Sequence, residues 1–253
     1  MIFLRFELHG EAQYGVIDRH QITPIAPHPF GDYETMDDSI PLAEVRILPP
    51  VQPSKIVAVG VNYKGHAKEM GHDMPAEPLI FLKPPSSVIG SMDPIVYPKT
   101  SSRVDFEAEL AVVIKKRAKD VPEGQASDFV LGYTCFNDVT ARDLQKKDGQ
   151  WTRAKGFDTF SCIGPWIVTD LDASNLTLEC YLNGSLKQKG TTADMFFSVP
   201  RLVSHISSVM TLEPGDVITT GTPPGVGPMR PGDMVDVSIE GIGVLRNTVT
   251  PQS

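Results

Sequence analysis

Cysteine is scarce in this chain. Its three cysteines, Cys135, Cys162 and Cys180, are odd in number and far apart, so neither a disulfide framework nor a CxxC zinc site fits them. They read as buried free thiols in a reducing compartment. Positive charge is also short, with 23 Lys and Arg against 31 Asp and Glu and a net charge of −8. That balance argues against a nucleic-acid partner, because no basic excess exists to neutralise phosphates. Long apolar runs are missing as well, and none approaches the ~20 residues of a membrane span. Arg5 and Glu7 interrupt the apolar opening stretch, which therefore does not read as a signal peptide. A soluble, cytoplasmic protein is expected.

At 253 residues, with 41% hydrophobic and 21% charged side chains, the chain is long enough for one large domain with its own core, or one domain carrying a small appendage. The 21 glycines and 22 prolines imply many turns, hence a strand-rich fold. Residues 1–48 read as a small N-terminal β unit, because Leu4, Phe6 and Leu8 alternate with Arg5 and Glu7, the period of a half-buried strand. Tyr14–Ile17 and Gln21–Ile25 are further short strands. The joint Pro49-Pro50-Val51-Gln52-Pro53 separates this unit from a main domain over residues 54–250.

In the main domain, Ile56–Val59 is predicted as a strand ending at Gly60, with Asn62 capping a short helix through Met70. Leu79–Leu82 is a strand followed by a loop from Lys83. Asp105–Ile114 and Phe129–Phe136 are strands, the second running through Asn137-Asp138 into a helix from Thr140. Asn183-Gly184 is a two-residue hairpin signal. Ser198 and Pro200 open a helix whose apolar face runs from Val199 to Met210. Strands resume at Asp216–Thr220, Met234–Ile239 and Val244–Val249. The sum is a β-rich domain with few, short helices.

The sharpest chemical signal is Asp105-Phe106-Glu107-Ala108-Glu109-Leu110. On a continuous strand Asp105, Glu107 and Glu109 share one face. Three adjacent acids repel one another unless a cation neutralises them, which a hard divalent ion held by carboxylate oxygens does. The bland alternative is a solvent-facing strand with acidic decoration. Asp138, at a strand-to-helix junction, is either a further ligand or a helix cap. Oxygen-only ligation favours Mg²⁺ or Mn²⁺ over zinc and leaves Ca²⁺ open. Such an ion would also supply the local positive charge that an acidic protein needs to receive an anionic substrate.

His66 and Glu69 lie three residues apart, neighbours on a helix face, where a carboxylate makes an imidazole a better base. Read alone, the pair is as compatible with a surface ion pair. His9, His20, His28, His72 and His205 have no comparable setting and read as surface or structural. Lys155 alone would be an exposed charge. The stretch from Thr220 to Pro228 is glycine-rich but lacks the Gly-Lys-Ser/Thr ending of a phosphate loop. It reads as a tight turn whose amides and Thr222 hydroxyl could hold a carboxylate.

Taken in order, Val59-Gly60-Val61-Asn62-Tyr63, His66-Ala67-Lys68-Glu69, the Asp105–Leu110 segment, Asn137-Asp138 through Gln145, Ala154-Lys155 and Thr220–Pro228 make the chain similar to the fumarylacetoacetate hydrolase family. The likeness is to its shorter members: acylpyruvate hydrolases, oxaloacetate decarboxylases or tautomerases, and 2-hydroxyhepta-2,4-diene-1,7-dioate isomerases. It implies a mixed β-sandwich roll, usually a homodimer, with Mg²⁺ or Mn²⁺ bound by Glu107, Glu109 and Asp138. It implies His66, Glu69 and Lys155 as catalytic residues, and Arg142, Gln145 and Thr222 as contacts to a small 2-oxo-acid substrate. The implied chemistry passes through an enolate to C–C hydrolysis, isomerisation or decarboxylation. A non-catalytic metal- or ligand-binding module is the alternative from another class, against which intact His66, Glu69 and Lys155 argue. Residues 1–48 are only a remnant of the larger members' N-terminal domain, so the name-giving substrate is not expected.

Overall fold

A computed structural model describes residues 1–71 and 73–252. His72 lies outside the described residues. Strands dominate, and the helices are short: Lys64–Met70, Arg142–Asp148, Thr152–Lys155 and Val199–Val209. No described helix is long and apolar enough to cross a membrane.

The largest sheet has 13 strands. Its main path starts in the N-terminal hairpins, crosses Ile2–Leu8, Ser161–Val168, Val130–Asp138 and Ala108–Ile114, and ends through Val217–Thr219 and Ile56–Gly60 at Leu79–Lys83. The opening strand joins the rest by antiparallel pairing of Ile2 with Val168 and Phe3 with Ile167. A second, five-stranded sheet holds Pro94–Tyr97, Gly243–Pro251, Met234–Ile239, Thr177–Leu182 and Ser185–Thr191. The main core lies where the two sheets pack. Leu110, Val112 and Ile114 face it, whereas Ala111 and Val113 face a second cluster on the other side. Burial on both faces is what the unbroken apolar run from Leu110 to Ile114 leads one to expect.

Several local expectations hold. Asn183 and Gly184 turn the hairpin with φ of 52° and 76°, the left-handed pair of a type I′ turn. The Ser198 side chain caps the Val199–Val209 helix by accepting from Arg201 N. All three cysteines are buried and free.

Three do not. The strand predicted over Asp105–Ile114 is interrupted: Val104–Phe106 belongs to a small separate sheet with Gly227–Met229 and Thr140–Ala141, and pairing with Val130–Asp138 resumes only at Ala108. Asn62 does not cap the following helix, whose Ncap is Tyr63 with no side-chain bond. Its amide instead donates to Phe197 O and Thr220 O and accepts from Phe197 N, because those buried backbone groups need partners. Nor does Asp138 cap a helix, since the helix beyond it begins at Arg142.

Candidate active site

The open end of the large sheet holds a cavity of about 310 Å³. Several segments build it. The Ile56–Gly60 strand ends at Gly60, where an added Cβ would lie 2.7 Å from the Trp151 ring, so the backbone and that indole make one wall. Val61 then takes φ of 55°, a costly conformation for a β-branched residue and one concentrated at functional sites. The turn brings in the Lys64–Met70 helix, from which buried His66 faces the cavity. His66 Nδ1 lies 3.1 Å from Glu69 Oε2. The same carboxylate accepts from Gly225 N, which ties the helix to the Thr220–Pro228 turn.

Glu107, Glu109 and Asp138 form the cavity floor. Glu107 sits in the break between strands, its N–H bonded to Asn137 Oδ1 and its carbonyl accepting from Asp138 N. These bonds bring Asp138 beside it from the neighbouring strand. One oxygen from each of the three carboxylates lies within 4.8 Å of the others, about the span across the coordination sphere of one hard cation. Asp105 is not among them. It is fully buried but turned away, bound by the guanidinium groups of Arg103 and Arg142. The interruption at Glu107 breaks the alternation that had placed it with the other two.

Buried cations surround the acids. Lys155 Nζ is 2.8 Å from Glu107 Oε2 and 2.6 Å from Asp138 Oδ2. Lys83 Nζ is 2.5 Å from Asp138 Oδ1. Arg142 pairs with Glu107 and Asp105 and donates to Gln145 Oε1 at 2.6 Å. Burial works against ionisation of Glu107, yet Lys155 and Arg142 hold its carboxyl well below the usual range. Burial likewise depresses both lysines. Asp138 and Glu107 outweigh it at Lys155, whose ammonium is favoured, but Asp138 does not outweigh it at Lys83.

Glu109 is different. It is 2% exposed and has no ion pair among the described residues; the amide of Gly221 donates to Oε2 at 2.8 Å, and Lys155 and Thr219 only partly favour its charged form. Burial, reinforced by Asp138 and Glu107, pushes its carboxyl well above the usual range. One uncompensated buried carboxylate beside two others, with oxygen donors alone, is a set that a hard divalent cation would complete. The residues present therefore fit such an ion.

His66, Glu107, Glu109, Asp138, Lys155, Arg142, Gln145 and Thr222 all line the one cavity, and Glu69 reaches it through His66. The turn amides do hold carboxylates, but the chain's own: Gly221 N holds Glu109 and Gly225 N holds Glu69. His9, His20 and His28 are exposed and His205 is half-buried on its helix, away from this cavity. Sequence reading missed Lys83, which ends a strand rather than opening a loop, and Gln188, treated below. The signal for Lys83 was a lone lysine directly after an apolar strand.

Residues 55–250 match the family model described as Fumarylacetoacetate (FAA) hydrolase C-terminal, and residues 1–50 match one described as Rv2993c-like, N-terminal. A crystal structure named 5-carboxymethyl-2-hydroxymuconate delta-isomerase, from Mycobacterium smegmatis, superposes with a TM-score of 0.95 at 46% identity over all of both chains. Mitochondrial oxaloacetate decarboxylase of Dictyostelium discoideum is 48% identical over 74% of this chain and 89% of its own length. Maleylpyruvate hydrolase from Sphingobium sp. SYK-6, solved with manganese(II) and pyruvate, is 31% identical with a TM-score of 0.84 over all of both chains. With the strand-rich fold and the acidic cluster, these matches show that the chain belongs to the fumarylacetoacetate hydrolase family of enzymes.

Proposed function

We propose that the protein is a divalent-metal-dependent enzyme, Mg²⁺ being the expected ion, acting on small 2-oxo acids and related 1,3-dicarbonyl acids. It would hydrolyse a C–C bond of an acylpyruvate or isomerise a 2-hydroxyhepta-2,4-diene-1,7-dioate. The observation that carries this reading is that the His66–Glu69 pair, the three carboxylates and the Lys155 ammonium border one cavity. A divalent cation held by Glu107, Glu109 and Asp138 would act as a Lewis acid on the substrate's 2-oxo oxygen. Glu69 engages His66 Nδ1 and so leaves Nε2 to take a proton, from water in a hydrolysis or from carbon in an isomerisation. Lys155 stabilises the enolate charge or returns the proton, and the Gln145 side-chain amide, whose oxygen is held by Arg142, is left to donate to the substrate.

Oxaloacetate decarboxylation is the second reading, favoured by the 48% identical relative of that name. Loss of CO₂ needs no activated water. Assays with Mg²⁺ on acetylpyruvate, fumarylpyruvate, oxaloacetate and the dienedioate separate the reactions. His66→Ala is expected to cut hydrolysis by about 10²–10⁴-fold while sparing much of any decarboxylation. Tight metal binding with no turnover of any of the four would favour the non-catalytic module.

We further propose a cytoplasmic homodimer with a small N-terminal unit over residues 1–48 and the catalytic domain over 54–250, a division supported by the two family matches. Leu79 and Leu82 are 45% and 49% exposed on opposite faces of Leu79–Lys83, a strand at one edge of the large sheet, and an apolar edge of this kind is suited to cover by a second copy. Sedimentation equilibrium is expected to give twice the chain mass, and a monomer at micromolar concentration would refute the dimer.

A further inference from the structure

We infer that Gln188 and Thr222 form a clamp that positions the metal-holding carboxylates. This rests on the metal-centre reading above.

Gln188 lies in the Ser185–Thr191 strand, a mostly exposed hairpin arm in which it alone is buried. A bulge explains its direction. Cys180 pairs with Gln188 but Tyr181 pairs with Leu186, so Lys187 is an extra residue, and such bulges re-aim neighbouring side chains. The Thr220–Pro228 turn packs hard onto this arm. A Cβ on Gly225 would lie 2.4 Å from Lys187 O, and one on Gly190 would lie 2.6 Å from Pro223 Cβ.

Inside that contact, Gln188 spends its whole side-chain amide. Nε2 donates to Thr222 Oγ1 and to Pro223 O, both at 2.8 Å, and Oε1 accepts from Ala108 N at 3.0 Å. Thr222 Oγ1 donates to Ala108 O at 2.8 Å. The ring of bonds therefore closes on both polar groups of Ala108, the residue between Glu107 and Glu109. A hydroxyl has one proton to give, and that of Thr222 is committed to Ala108. Thr222 also lines the cavity. What the ring does fix is the peptide from which both glutamates project, and partners of this kind typically change metal affinity by about 10–100-fold.

The test uses Mn²⁺ alone as probe, titrated into the full-length protein and read by electron paramagnetic resonance. Thr222→Val, which keeps the shape and removes the hydroxyl, and Gln188→Met are each expected to weaken Mn²⁺ binding by about tenfold or more. Thr222→Ser is expected to restore most of the affinity. Because one ring is broken in each case, the double variant should lose little more than either single. Gln188→Glu, which keeps the acceptor for Ala108 N, serves if the methionine variant does not fold. Wild-type affinity for Mn²⁺ in Thr222→Val, with a raised KM at saturating metal, would overturn the clamp in favour of a substrate contact. A wild-type protein that bound no Mn²⁺ would overturn the centre itself, and the clamp with it.

Discussion

Lys155→Met is expected to lower kcat by about 10²–10⁴-fold and, at the same time, to tighten Mn²⁺ binding to the resting protein. The two effects have opposite signs because the ammonium occupies both relationships. At 2.8 Å from Glu107 and 2.6 Å from Asp138 it already neutralises two of the three carboxylates that a cation would use. Two unit charges about 4 Å apart interact by about 4 kcal/mol at an effective dielectric of about 20. Removing even part of that repulsion from an incoming cation is worth tenfold or more in affinity. The fold should survive, since Glu107 keeps Arg142 and Asp138 keeps Lys83. The cost then stays below the 3–5 kcal/mol or so of orphaning a buried charge. Metal titration and single-turnover kinetics on the same preparation check both signs. Weaker Mn²⁺ binding alongside the lost turnover would mean that Lys155 gathers the carboxylates instead of competing for them.

The parts of the site legible in the sequence were those with local signatures. Glu107 and Glu109 two apart, His66 and Glu69 three apart on a helix, and Asp138 closing an apolar strand each carried a local signal, and the family resemblance chose the site reading over acidic decoration, a surface ion pair and a helix cap. The turn at Asn183-Gly184 was readable for the same reason. What was missed depended on distant pairing. Lys83 follows Leu79–Leu82 as a loop lysine would, and nothing nearby announces an aspartate 55 residues on. Asp105 was misplaced because period-two reasoning assumes one continuous strand, whereas the chain passes between sheets at Glu107. Asn62 looked like a cap because its partners, Phe197 and Thr220, are 135 and 158 residues away. Gln188 was invisible in a polar hairpin arm until a bulge turned it inward. The carboxylate-holding turn was readable in kind, while the identity of its carboxylates, the protein's own Glu109 and Glu69, depended on distant pairing.

The sharpest contrast in the site is between its two glutamates. Glu109→Gln is expected to abolish Mn²⁺ binding by about 100-fold or more, yet to leave the metal-free protein at least as stable as wild type. Glu109 is 2% exposed and accepts from the Gly221 amide, with no ion pair among the described residues to offset its burial. Glutamine keeps the shape and an oxygen for Gly221 N while removing a charge that two adjacent carboxylates oppose. Glu107→Gln removes an equal charge from a residue paired with both Arg142 and Lys155, and is expected to destabilise by about 1–3 kcal/mol, because two charge-assisted hydrogen bonds weaken while Arg142 keeps Asp105 and Lys155 keeps Asp138. Denaturant unfolding with and without Mn²⁺ reads both effects. At 100 times its dissociation constant the ion should stabilise the wild type by about 2.7 kcal/mol and Glu109→Gln hardly at all. Equal destabilisation by the two substitutions would mean that Glu109 has a cationic partner in solution. The cluster would then be a closed ion-pair network, already neutral, with no charge left over for a metal to balance.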